Sequence, residues 1–273
     1  MIITADTIHH WIGLSASIIL GLVSGSFLTM LTHRLSLRLL PLWQTDRDVP
    51  AATPIRAWRS CCPRCGGVIP WYRNLPLVGW AIGLGRCSIC RQRVSLRYPV
   101  IELVTTLVVM AVWSTQADPW RIAALSLVSL WLVGLSVIDA ETRLLPDSLT
   151  LSGLWIGLLL SVMPVASMPG PDGAIIGAAA GYALLAGLNG AYRLVRGHDG
   201  LGGGDCKLLA MLGAWAGPTA LPVILLLGAG GGCLWLVVRR WLGTSGGNHL
   251  AFGPWLALAG WITLVWGHER FYL

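Results

Sequence analysis

Charge is what this chain has least of. Lys, Arg, Asp and Glu together make up 11% of its 273 residues, less than half of the roughly 25% usual for a soluble domain. With 55% hydrophobic residues and a mean hydropathy of +0.69, that shortage excludes a soluble globular protein and implies an integral membrane protein. No internal repeat is present, and no low-complexity tract beyond scattered glycines. No His-Glu-x-x-His occurs, which argues against a zinc protease of that type. The first apolar segment lacks a basic leader region and a clear small-residue cleavage site, so it reads as a retained helix rather than a signal peptide.

What remains is a series of apolar runs. A bilayer core needs roughly 20 apolar residues per helix, and candidate spans fall at 11–32, 99–116, 120–138, 148–165, 173–192, 206–219, 221–238 and 250–267. The sixth is short and ends at Gly217-Pro218, so seven spans are an alternative to eight. Eight spans suit the charge distribution. With the N-terminus outside, seventeen of the nineteen basic residues lie in loops on the inner side, leaving only Arg121 and Arg270 outside. Such an asymmetry sets orientation. The net charge of +7 is therefore a cytoplasmic excess of arginine facing membrane lipids, and not a sign of nucleic acid. Fifteen tryptophans fit interfacial anchors such as Trp11, Trp113, Trp120 and Trp266. The predicted organisation is a first transmembrane helix (1–32), a cytoplasmic loop domain (33–98) and a membrane core (99–273).

The loop domain has few aliphatic residues, and a small domain of that kind needs a staple. Cys62-Pro63-Arg64-Cys65 and Cys87-Ser88-Ile89-Cys90 supply one, since two C-x-x-C pairs in a reducing compartment read as metal ligands. Four thiolates close a tetrahedral Zn2+ site and leave no open position, which makes the metal structural. Cys61 competes with Cys62 as a ligand. Cys206 and Cys233 fall in membrane segments and read as small packing residues.

Acids at the membrane edge carry the functional signal. In Gly202-Gly203-Gly204-Asp205-Cys206-Lys207, a carboxylate stands where an apolar helix begins, behind glycines that let another chain approach. In Val137-Ile138-Asp139, a second carboxylate ends an apolar run, where the helix dipole disfavours it. Both lie on the cytoplasmic side by the charge count. Two carboxylates in a partly dry site do not both ionise easily, so one can activate a water while the protonated other polarises a carbonyl. Asp147, before Ser148-Leu149-Thr150, reads as a helix N-cap. Asp199 and His198 read as loop residues. Lys207 either holds substrate, tunes Asp205 or snorkels. Glu102 is either a buried hydrogen-bonded acid or part of a second site.

With these pieces assembled, the chain resembles the type IV prepilin peptidases, the GxGD aspartyl proteases of bacterial membranes. The resemblance rests on Gly25-Ser26-Phe27-Leu28 with His33-Arg34, the cysteine loop with Trp71-Tyr72-Arg73-Asn74-Leu75-Pro76, and Arg97-Tyr98-Pro99-Val100-Ile101-Glu102-Leu103. Ile138-Asp139 with Leu145-Pro146-Asp147, Gly200-Leu201-Gly202-Gly203-Gly204-Asp205 with Lys207-Leu208-Leu209, and Phe252-Gly253-Pro254 complete it. It implies that Asp139 and Asp205 are the catalytic pair, beside which Gly202, Gly203, Gly204 and Lys207 read as a substrate loop. It also implies cleavage of a short basic leader from prepilins or pseudopilins at the cytoplasmic face of the inner membrane, in type IV pilus or type II secretion systems. N-methylation of the new N-terminal residue, usually Phe, from S-adenosylmethionine would follow. Thr29 stands where the family usually has Asn, and Ser36 where it has proline, and both departures bear on methyl transfer. The residues themselves carry no readable S-adenosylmethionine fingerprint.

The reading is thus an all-α polytopic membrane aspartyl endopeptidase of about eight spans, with a zinc-stapled cytoplasmic loop and a second activity as a methyltransferase. Two other classes compete with it. A proton-coupled transporter using Asp139 and Asp205 as a relay predicts acids deep within spans. A zinc-bearing scaffold that binds nucleic acid through its arginines predicts salt-sensitive binding.

Overall fold

A computed structural model describes residues 5–43, 62, 65–163, 168–243 and 251–267. Among these residues β structure is limited to isolated bridge positions, such as the pairing of Arg86 with Arg93, and helices make up the architecture. The chain divides into two compact units, Met1–Ser114 and Thr115–Leu273.

The first unit contains α1 (Ala5–Trp43), a short α2 (Val78–Ile82) and α3 (Arg97–Thr115). The first apolar helix thus runs beyond the predicted span into residues expected in the loop. Helices α1 and α3 approach closely. A Cβ on Gly21 would lie 2.5 Å from the Thr106 Cα, and one on Gly25 would lie 2.8 Å from the Glu102 Cα. Small residues four apart on one face let membrane helices pack backbone to backbone. Thr105 and Thr106 face this seam and return their hydroxyls to the carbonyls of Ile101 and Glu102, so neither hydroxyl is left open there.

The second unit contains α4 (Pro119–Thr142), α5 (Asp147–Leu160), α6 (Pro171–Arg196), α7 (Gly203–Ala216), α8 (Leu221–Trp241) and α9 (Gly253–Trp266). Its centre is α7, where every residue from Leu208 to Trp215 is buried. A helix buried all round must be apolar all round, which is why Leu208-Leu209-Ala210-Met211-Leu212 shows no amphipathic period. Gly213 lets α6 come in to backbone contact, since its added Cβ would fall 2.1 Å from the Gly177 carbonyl oxygen. Trp215 donates to the Gly153 carbonyl of α5 at 2.9 Å, and Trp261 of α9 donates to the Ser129 hydroxyl of α4 at 2.9 Å.

Each of the eight predicted apolar segments corresponds to a helix. Five stretches, in α1, α3, α4, α6 and α8, are long and apolar enough to cross a membrane. Helices α5, α7 and α9 have only 14 residues each, about 21 Å at 1.5 Å per residue. The short sixth span foreseen at Gly217-Pro218 is therefore one of three short helices. Cys206 is buried as expected, but Cys233 is exposed on α8 and fills no core position.

Candidate active site and metal centre

Two groups of functional side chains emerge, one in each unit. In the second unit, α4 carries Asp139 one turn before its end. Arg143 closes that helix in a left-handed conformation, donating its N–H to the Asp139 carbonyl at 2.8 Å. The Asp139 side chain is 5% exposed, and its Oδ2 accepts the backbone N–H of Gly253, at the start of α9, at 3.0 Å. Only glycine fits at that place, because a Cβ on Gly253 would lie 2.6 Å from the same oxygen.

Asp205 is the third residue of α7. Its backbone N–H donates to the Gly202 carbonyl at 3.1 Å, which ties the acid to the glycine loop. Leu145, in the connection between α4 and α5, lies against Gly204, whose added Cβ would fall 2.8 Å from the leucine Cβ. This contact brings the end of α4 to the start of α7, and Asp205 lies within electrostatic reach of Asp139. Gly202 and Gly203 are exposed, and a Cβ on Gly203 would meet nothing within 4 Å. A pair of carboxylates, one of them buried, therefore stands beside an open stretch of bare backbone.

Two neighbouring residues differ from expectation. Asp147 is not an N-cap: it is the first helical residue of α5, and Pro146 occupies the cap position without a side-chain bond. Its carboxylate accepts from the Lys207 ammonium at 2.5 Å, while its charge still suits the helix N-terminus. Lys207 is thus engaged by Asp147, a partner the sequence reading did not name. Asp199 and His198 are loop residues as predicted, but they are held against α6. Asp199 accepts from Asn189 at 3.2 Å, and the His198 ring meets Tyr192 edge-on at 5.6 Å. The sequence reading missed Asn189, for a lone asparagine within an apolar helix carries no spacing signal.

In the first unit, Cys62, Cys65, Cys87 and Cys90 bring their sulfurs within 4.8 Å of one another. Cys62 and Cys90 are 3.9 Å apart, against about 3.8 Å for neighbouring thiolates at the corners of a Zn–S tetrahedron. The four residues, Cys62 among them, fit such an ion; Cys61 lies outside the described residues. The two loops are built alike. After each second cysteine comes a residue with positive φ, Gly66 at 65° and Arg91 at 58°. Each first cysteine also donates its N–H five residues ahead, Cys62 to Gly67 and Cys87 to Gln92. Backbone N–H groups of Cys90 and Ile89 lower the Cys87 thiol pKa and favour its thiolate, while its three neighbours in the cluster help to raise that of Cys65, since closely placed thiols do not all ionise until a cation balances them.

Glu102, left open between two roles, is a buried acid whose Oε2 accepts the Leu77 N–H at 2.8 Å. Leu77 has a φ of 56°, so the glutamate secures a strained turn. Thr29 donates its hydroxyl to the Ser26 carbonyl of its own helix at 2.7 Å.

The fold and these two centres define a multi-span helical membrane protein with paired carboxylates and a four-cysteine cluster that could hold a metal ion. The chain belongs to the type IV leader peptidase family. The description "Type IV leader peptidase family" matches residues 126–237, and "Bacterial Peptidase A24 N-terminal domain" matches residues 19–115. A protein of Aeromonas salmonicida called prepilin leader peptidase/N-methyltransferase is 40% identical, with 96% of this chain and 94% of the relative aligned. Relatives of the same name from Pseudomonas putida and Neisseria gonorrhoeae are 40% and 35% identical, over 92% and 89% of this chain and 90% and 87% of their own lengths. No solved structure gives a significant match.

Proposed function

We propose that this protein is a membrane aspartyl endopeptidase that removes the basic leader from type IV prepilins or pseudopilins, and that it then N-methylates the new N-terminus. The observation that carries the reading is the meeting of Asp139 and Asp205 beside the glycine loop, in a chain aligned almost end to end with relatives of that name.

The chemistry follows from the surroundings of the two acids. Two neighbouring carboxylates share one proton, because a second negative charge at short range is costly. The ionised member takes a proton from water as the water attacks the scissile carbonyl, and the protonated member hydrogen-bonds the developing oxyanion. The Gly253 N–H fixes one oxygen of Asp139, leaving the other for water or proton sharing. The exposed backbone of Gly202 and Gly203 offers hydrogen-bonding groups to an extended substrate, and the Lys207–Asp147 pair ties the start of α7 to the start of α5.

The excess of inner-side arginines supports a cytoplasm-facing site in the bacterial inner membrane. Cys62, Cys65, Cys87 and Cys90 would hold a structural Zn2+ that supplies folding energy to the loop and takes no part in hydrolysis. S-adenosylmethionine is the methyl donor that the family resemblance implies, and no residue is assigned to it. Incubating the purified chain with a prepilin peptide and labelled S-adenosylmethionine tests both activities, since mass analysis separates cleavage from methylation. Recovery of the uncut peptide would refute the proposal.

Removing the metal is expected to unfold the cysteine loop and leave the helices of the second unit intact. A strong chelator, or Cys62→Ser with Cys90→Ser, should make the segment 62–94 readily cut by trypsin at Arg86, Arg91 and Arg93. Added Zn2+ should restore resistance after chelation but not in the double variant. Equal protease resistance with and without metal would count against a structural ion.

A further inference from the structure

The glycine loop is fastened from outside by a residue that the proposed chemistry does not use. Asn189 lies on α6, two turns before its end. Its Oδ1 accepts the backbone N–H of Gly200 at 2.9 Å and that of Leu201 at 2.9 Å. Its Nδ2 donates to Asp199 Oδ1 at 3.2 Å. One side chain thus binds three consecutive residues of the segment that leads into Gly202-Gly203-Gly204-Asp205.

The neighbours of Asn189 on the same helix face complete the dock. Residues three and four apart along a helix share a face, and the next two on this one are Tyr192 and Arg193. Tyr192 sits under the loop, where a Cβ on Gly200 would fall 2.6 Å from its ring, and its ring meets His198. Arg193 lies 4.0 Å from Asp199. Gly197 begins the turn with a φ of 77°, which lets the chain reverse after α6 and lie back along it.

We infer that Asn189 is a positioning residue for substrate: with Asp199 it latches the glycine loop onto α6, so that the open backbone before Asp205 is presented in one conformation. Without the latch, the loop is joined to α6 by the Gly197 turn, the ring contacts and the exposed Arg193–Asp199 pair, an ion pair worth little at the surface. An extended substrate must then order the loop as it binds, and that entropy appears in binding. The hydrolytic step itself is less affected, because Asp205 and Asp139 keep their own backbone partners. The inference rests on the proposed peptidase activity for its kinetic readout alone.

The partner swap supplies the test. Asn189→Ala removes all three bonds. Asn189→Asp keeps an acceptor for the two N–H groups but sets a carboxylate against Asp199. Adding Asp199→Asn to Asn189→Asp restores a donor–acceptor pair with its direction reversed. Measured on the full-length chain in detergent with a prepilin peptide, Asn189→Ala and Asn189→Asp should raise KM roughly five-fold or more, the equivalent of one net hydrogen bond. Their kcat should change less than KM. Asp199→Asn alone should be close to wild type, and the double variant should recover most of the lost KM.

Hydrogen exchange of the segment 197–204 reads the latch without any substrate. It should quicken in both single Asn189 variants and slow again in the double variant. Unchanged exchange in Asn189→Ala, or a double variant as impaired as Asn189→Asp, would overturn the latch. A wild-type chain that leaves the peptide uncut would instead refute the peptidase reading, and the exchange measurement would still decide the latch.

Discussion

Asp205→Asn is expected to abolish cleavage of a prepilin while the protein remains folded. Asparagine has nearly the same volume, and the backbone N–H of residue 205 keeps its bond to the Gly202 carbonyl. What disappears is a carboxyl group that can share a proton with Asp139 and exchange it with water. An amide does neither, so the loss should reach on the order of 10⁴-fold, the upper end for general acid–base catalysis. Stability should hold or rise, since a carboxylate within reach of another in a poorly solvated site is a repulsive element. Thermal unfolding in detergent should therefore separate chemistry from folding, and Asp139→Asn should behave likewise in cleavage. Methyl transfer to an already cleaved pilin peptide, measured on the same variant, tests whether the acid pair serves cleavage alone. Normal processing by Asp205→Asn would remove the pair from the mechanism.

The second large effect is expected at a residue with no side chain. In Gly253→Ala the new methyl group would sit 2.6 Å from Asp139 Oδ2, far inside van der Waals contact. Either the carboxylate rotates away or the first turn of α9 moves, and in both cases the 3.0 Å bond from the residue 253 N–H is stretched or lost. A displacement near 1 Å at a catalytic group can cost about 10²-fold in rate. Overpacking of a tight site costs typically 1–3 kcal/mol of stability, which is unlike the expectation for Asp205→Asn. Gly253→Ala should therefore lower kcat about 10²-fold and lower the unfolding temperature, with KM changed less. Wild-type kcat in this variant would show that the Gly253 contact does not orient Asp139.

These two effects also mark how far the sequence could be read. Asp139 and Asp205 stood out because each puts a charge at the edge of an apolar run, and that signal is one-dimensional. The cysteine pairs were legible for the same reason: the x-x spacing itself shapes a knuckle, and two knuckles close a tetrahedron. Helix positions followed from apolar runs, but their lengths did not. Helix α1 continues into sequence of mixed polarity, which hydropathy alone assigned to a loop. Asp147 was misjudged because its sequence neighbours suit an N-cap, while its actual partner, Lys207, is sixty residues away in the chain.

By itself, then, the sequence determined the membrane class and the four-cysteine cluster and pointed to two acids at the ends of apolar runs, all of which are local patterns of polarity and spacing. Only the tertiary structure decided that Gly253 holds Asp139, that Leu145 against Gly204 brings the two acids together, and that Asn189 ties down the loop beside Asp205. Those are contacts between residues apart in sequence, made by a glycine, a leucine and an asparagine that no spacing pattern sets apart. Their meaning lies in the close approach of α4, α6, α7 and α9, which packing sets and no run of residues spells out.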